Sequence, residues 1–142
     1  MKNKLKVVID TNVLLVSISS KSRYHWVFEK LLNDEFDLFV TSEVLMEYEE
    51  IISSKYNLRL AKNVIRTLLL LPNVHQATIY YNWNLIENDA DDNKFVDCAV
   101  NSNSHVLVTN DRHFDVLKNL DFPKLKVVNI NEFENILKEV GK

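Results

Sequence analysis

Apolar residues in this chain fall into two kinds of run. Some are short, unbroken and rich in β-branched side chains; others are longer, with apolar positions every three to four residues. The first kind reads as a buried strand and the second as a helix that buries one face. By this rule residues 5–9 (LKVVI), 36–40 (FDLFV), 106–108 (VLV) and 125–130 (LKVVNI) are strands, with a weaker one over about 75–81. Helices are predicted over 24–33, over about 43–53 behind a hydroxyl cap offered by Thr41-Ser42, and over 58–71, where Pro72 stops the pattern. Further helices follow over about 91–102, 111–119 and 132–139. Strands alternating with helices, each strand short and uniformly apolar, predict an α/β fold. The expected architecture is a three-layer α/β/α sandwich around a mostly parallel, about five-stranded sheet. In such sheets ligands bind beyond the carboxyl ends of the strands, so the residues just after each strand carry the interest.

No repeat, low-complexity tract or linker interrupts the 142 residues, which predicts a single domain over 1–142. Composition removes whole classes of chemistry. Only Gly141 is glycine, where average usage of about 7% would give roughly ten. Phosphate-binding loops of the G-x-G-x-x-G and G-x-x-x-x-G-K-[ST] types are therefore impossible, as is a G-x-S-x-G nucleophile elbow. Phosphate chemistry, if present, needs a metal held by side chains. Cys98 is the lone cysteine, so an internal disulfide and a cysteine zinc cluster are excluded. The four histidines show no H-x-x-x-H spacing. Lysines precede an apolar run at the start, but Asp10 and Asn12 interrupt it and no cleavage site is evident, so a signal peptide is not expected. No stretch reaches the roughly 18 apolar residues of a spanning helix. A cytoplasmic protein without a membrane partner is the expectation. The net charge of −3 argues against a protein that coats DNA.

Acids mark the predicted sheet edge. Asp10 directly follows KVVI, and Asp111 follows VLVT after one residue. Each alone also reads as a helix N-cap; two on the same edge favour a shared site. Between Glu87 and Asp97 stand five acids (Glu87, Asp89, Asp91, Asp92, Asp97) against Lys94. A solvated acidic loop and favourable charge at a helix N-terminus account for Asp89 and Asp91. On a helical wheel Asp92 lies within the apolar face of Phe95, Val96, Ala99 and Val100, while Asp97 falls opposite, with Asn93 and Asn101. A carboxylate facing the core needs a partner, and a cation is one. Asp92 therefore ranks above Asp97. In the helix after Ser42, Glu43, Glu47 and Glu50 share a face, and periodicity does not choose among them. Carboxylates converging on one edge suit a hard cation such as Mg²⁺ or Mn²⁺, which activates water and neutralises a phosphoryl group.

Four blocks, VVIDTNVL at 7–14, TSEVLMEYEEII at 41–52, DADDNKFVDCAV at 89–100 and VLVTNDRHF at 106–114, resemble the PIN-domain ribonucleases, in particular the toxins of toxin–antitoxin pairs. The resemblance covers about residues 5–133. It implies that Asp10, Glu47, Asp92 and Asp111 form the acidic quartet, as catalytic and metal-binding residues, with Asn12 and Thr109 as supporting polar positions. It also implies one or two Mg²⁺ or Mn²⁺ ions, hydrolysis of single-stranded RNA, a homodimer and a small antitoxin partner. The chain departs from the family pattern at Asn110, often a glycine, and at Tyr48, commonly a leucine.

An acidic site needs basic flanks to hold RNA. Lys55, Arg59, Lys62 and Arg66 stand at helical offsets with no acid between them and are RNA-binding candidates, or an ordinary solvated face. Lys21 and Arg23 are secondary candidates, and Tyr80, Tyr81 and Trp83 are candidates for base stacking. Two rivals stay open: an inactive PIN fold that serves as a scaffold, and a haloacid-dehalogenase-type phosphatase. The second is disfavoured because Asn12 stands where its second aspartate belongs and VLVTN follows DADD instead of preceding it.

Overall fold

The computed structural model describes residues 4–80, 82, 90–119 and 125–140. Tyr81, Trp83, Glu87 and Asp89 lie outside the described residues, as does the side chain of Asp91. Five strands, β1 (Lys6–Ile9), β2 (Asp37–Val40), β3 (Val74–Gln76), β4 (Val106–Val108) and β5 (Lys126–Val128), form one sheet in the order β3-β2-β1-β4-β5. Every pairing is parallel, with Val7 opposite Leu38 on one side and Val106 on the other. Val7, Val8 and Ile9 are all buried, as are Val106, Leu107 and Val108. Consecutive strand residues point to opposite faces, so both faces of the central strands are covered.

The helices are α1 (Thr11–Ile18), α2 (His25–Leu32), α3 (Ser42–Lys55), α4 (Leu58–Leu70), α5 (Ala90–Asn101) and α6 (Ile130–Val140), plus a 3₁₀ segment, η1 (Arg112–Asn119). Thr41 caps α3 by accepting from the Val44 amide at 3.1 Å, and Asn57 caps α4 by accepting from Leu60 at 2.8 Å. The α4 helix ends at Leu70, with Leu71 extended ahead of Pro72 as proline requires of its predecessor. Asn129 and Glu132 cap α6 reciprocally, each side chain accepting the other's backbone amide.

With no glycine among the described residues, others take the left-handed positions that close helices. Asp34 (φ 63°) ends α2 and Asn103 (φ 55°) ends α5. At each, the amide after the left-handed residue reaches back to a carbonyl five residues earlier, Glu35 to Lys30 and Ser104 to Ala99. Aspartate and asparagine tolerate this geometry better than other residues with a Cβ.

Several elements differ from the sequence expectation. The helix α1 was not predicted: TNVLLVSI runs on from VVI without clear helical spacing, because α1 buries Val13, Leu14 and Ser17 between neighbours. Strand β3 is shorter than 75–81, since it lies at the edge and pairs on one side only. The 111–119 segment is 3₁₀, and β5 stops at Val128 because Asn129 already caps α6. Among the described residues, no helix is long and apolar enough to cross a membrane.

Candidate active site

The strand order reverses direction between β1 and β4, the two strands that Asp10 and Asp111 follow. At such a switch point neighbouring loops diverge and leave a crevice at the carboxyl edge. Asp10 takes the backbone position of an N-cap for α1, with its carbonyl accepting from Leu14 at 3.1 Å, yet its side chain makes no capping bond. Instead, Oδ2 accepts from the Thr109 hydroxyl at 2.7 Å, across 99 residues of sequence. The same hydroxyl oxygen accepts from the Asp111 amide at 3.0 Å. Thr109 therefore ties the two strand-end acids together. Asp111 does cap locally: its Oδ1 accepts from the His113 amide at 2.9 Å, at the start of η1. The capping reading of Asp111 thus holds, and its tie to Asp10 through Thr109 keeps it at the same edge.

Asp92 sits in the first turn of α5, only 9% exposed. Its Oδ2 lies 3.4 Å from His113 Nδ1, which is also 3.4 Å from Asp111 Oδ1. Asp92, Asp111 and His113 each offer a ligand atom, and these atoms all lie within 4.8 Å of one another. Glu47, in the middle of α3, has one carboxylate oxygen taking the Thr11 hydroxyl and the other 2.9 Å from Lys94 Nζ. The four predicted acids are thus brought to one edge from β1, α3, α5 and β4. Burial raises the Asp10 carboxyl above its ordinary pKa. The Thr109 hydroxyl and Thr11 amide pull it down, while the charges of Asp111 and Glu47 push it up again. Carboxylate oxygens with one imidazole form a donor set that fits Mg²⁺ or Mn²⁺, and a cation there would relieve this mutual repulsion.

Asn12 is exposed, and among the described residues its side chain makes no hydrogen bond. Its neighbour Thr11, 4% exposed, is the residue of this pair whose hydroxyl donates to one of the four acids, Glu47. Asp97 is buried at 6% and Asn93 at 8%, so the wheel's opposite side does not face water. The reason is that α5 packs on β1, β2 and β4 and against α3, leaving it little exposed surface. Tyr48 is fully buried, and its hydroxyl donates to the Ile9 carbonyl, bracing α3 against the residue before Asp10. Asn110 accepts from the Ile130 amide at 3.3 Å, tying the β4 exit loop to α6.

The basic stripe is not one helical row. Lys55 closes α3, whereas Arg59, Lys62 and Arg66 lie on α4. Among the described residues none of them pairs with the four acids, and Lys62 lies 3.6 Å from Glu49 of α3. Tyr80 is 83% exposed, as stacking requires. Sequence reading missed Thr11, Lys94 and His113, and also the cleft of about 270 Å³ beside Asp111 that Arg112 and Lys118 line. The D-x-H spacing of Asp111 and His113 was the one signal available for that histidine.

A family model for the PIN domain matches residues 6–113, a span that includes all four acids. The chain belongs to the PIN-domain family. Two solved structures share the PIN fold closely. One comes from the complex of VapBC2 from Rickettsia felis with a promoter DNA fragment: TM-score 0.61, 19% identity, covering 88% of this chain and 98% of that one. The other comes from DNA-bound VapBC of Salmonella typhimurium: TM-score 0.61, 20% identity, covering 89% of this chain and 98% of that one. No curated protein matches this PIN domain in sequence.

Proposed function

We propose that this PIN domain is a Mg²⁺- or Mn²⁺-dependent endoribonuclease that hydrolyses phosphodiester bonds of single-stranded RNA, and that it is the toxin of a toxin–antitoxin pair. The observation that carries the reading is the meeting of Asp10, Glu47, Asp92 and Asp111 at the switch point of a PIN sheet. The likeness to two VapBC chains supports an antitoxin partner and a toxin role. A homodimer and a cytoplasmic setting complete the proposal.

Asp10, Asp92 and Asp111 would hold the ion, with His113 beside them. Bound there, it would acidify a water molecule and offset charge on the phosphoryl group. The chain's own residues prepare that step. Thr109 fixes Asp10 and Asp111 relative to each other. Thr11 and Lys94 hold Glu47 in place. Arg112 and Lys118 line the cleft next to Asp111 together with Asp115 and Glu132, and Lys118 is paired with Asp115 at 3.2 Å, so Arg112 is the side chain there that would meet a phosphate beside the cut. Lys55, Arg59, Lys62 and Arg66 offer a second basic surface farther along the strand's path.

The test is a substrate panel: single-stranded RNA, single-stranded DNA and p-nitrophenyl phosphate, each with Mg²⁺, Mn²⁺ or EDTA, using wild type and Asp10→Asn. Internal RNA cuts that need metal and vanish in the variant are expected. Hydrolysis of the phosphomonoester with RNA intact would favour a phosphatase. No turnover with any substrate would favour a scaffold.

A further inference from the structure

The acids at the sheet edge are not equivalent. On one side Asp92, Asp111 and His113 present ligand atoms close together, and Thr109 ties Asp10 to Asp111. On the other side both oxygens of Glu47 are already engaged, Oε2 by the Thr11 hydroxyl and Oε1 by the Lys94 ammonium at 2.9 Å. The pair is withdrawn from water, with side chains 18% exposed for Lys94 and 16% for Glu47. It therefore differs from surface ion pairs, which solvent screens to little effect. Lys94 follows Asp92 by two residues on α5, so one helix delivers an acid to the first side and a fixed cation to the second.

Paired metal sites place two ions about 3.5–4 Å apart and need carboxylates free to hold both. A second ion on Glu47 would have to displace the ammonium and then sit beside it against like charge. Resting on the ribonuclease reading, we propose that Lys94 is a resident cation that neutralises the Glu47 side of the site. The chain then takes one divalent ion, on the Asp10–Asp92–Asp111 side, and Glu47 is a positioning residue instead of a ligand.

Calorimetric titration of the metal-free, full-length chain with Mn²⁺, with free Mn²⁺ counted by electron paramagnetic resonance, tests this without substrate. Wild type and Lys94→Arg are expected to bind one ion per chain. Lys94→Met, which removes the charge but keeps most of the stem, is expected to bind two, with the first roughly tenfold tighter. Two ions on wild type, or a Lys94→Met titration indistinguishable from wild type, overturns the proposal. If circular dichroism shows Lys94→Met unfolded, the ion counts of wild type and Lys94→Arg decide, and two ions on either overturns it. A chain that binds no Mn²⁺ removes the ribonuclease reading as well. Two ions on a wild type that still cuts RNA with metal removes this proposal alone.

Discussion

Replacing Thr109 with valine removes one hydroxyl and almost no volume at a position 3% exposed. Two contacts go with it: the 2.7 Å bond to the Asp10 carboxylate and the 3.0 Å bond from the Asp111 amide. A hydrogen bond to a charged group contributes about 1.5–3 kcal/mol, and a stranded, partly buried amide costs about 1 kcal/mol more. Thr109→Val should therefore lose about 2.5–4 kcal/mol, a fall in Tm of roughly 8–13 °C for a chain this size. Urea unfolding at neutral pH in EDTA, followed by circular dichroism, measures it. Thr109→Ser keeps the hydroxyl and should stay within about 1 kcal/mol of wild type. In an Asp10→Asn background the bond is neutral, so Thr109→Val should cost about 1 kcal/mol less there. If Thr109→Val is as stable as wild type, or costs the same in both backgrounds, Thr109 does not act through the Asp10 charge.

Three further outcomes follow from the same structure. The Asp10 carboxyl titrates above its ordinary value of 3.8, so its cost to the metal-free fold is absent below that pH and grows as pH rises through the folded value. Asp10→Asn should accordingly need more urea to unfold than wild type at neutral pH in EDTA, with the gap closing as pH falls to about 4; a destabilised variant at neutral pH contradicts this. Tyr48→Phe leaves the buried Ile9 carbonyl without the hydroxyl it accepts from and should cost about 1–3 kcal/mol by the same urea assay; no loss would mean that the brace is idle. Cys98 is fully buried and its thiol is pushed up to about 12 by burial, so a disulfide reagent at mildly alkaline pH should label it only after denaturation; fast native labelling would show that α5 opens readily.

Much of the sheet was legible because its strands are buried on both faces, which leaves unbroken runs such as VVI and VLV. The helix α4 was equally clear, since Ala61, Val64 and Leu68 face inward while Arg59, Lys62 and Arg66 face water. Its neighbour α1 was hidden by the opposite circumstance: apolar on most sides and directly continuous with a strand, it offers no period to read. Asp10 and Asp111 were readable from strand ends and Asp92 from the wheel. Glu47 was separable from Glu43 and Glu50 only by family resemblance, because what distinguishes it is a bond from Thr11 and an ion pair with Lys94, both set by tertiary packing. Nothing in the sequence singled out Thr11: its bond to Glu47 arises where α1 meets α3, and the predicted map had no helix over 11–18. Asp97 misled in a related way, since a wheel assigns one face to water and α5 has little such face.

The proposed RNA cleavage rests on a metal held by the acids at the β1–β4 switch point. Its most direct test is the cleavage rate of end-labelled single-stranded RNA in Mn²⁺, comparing wild type with Asp92→Asn from parallel preparations. Asp92→Asn keeps the shape of a buried residue on α5 and removes one charge from the metal side. A rate at least about 100-fold below wild type, with the fold intact by circular dichroism, is predicted. Equal rates from the two preparations would contradict the claim.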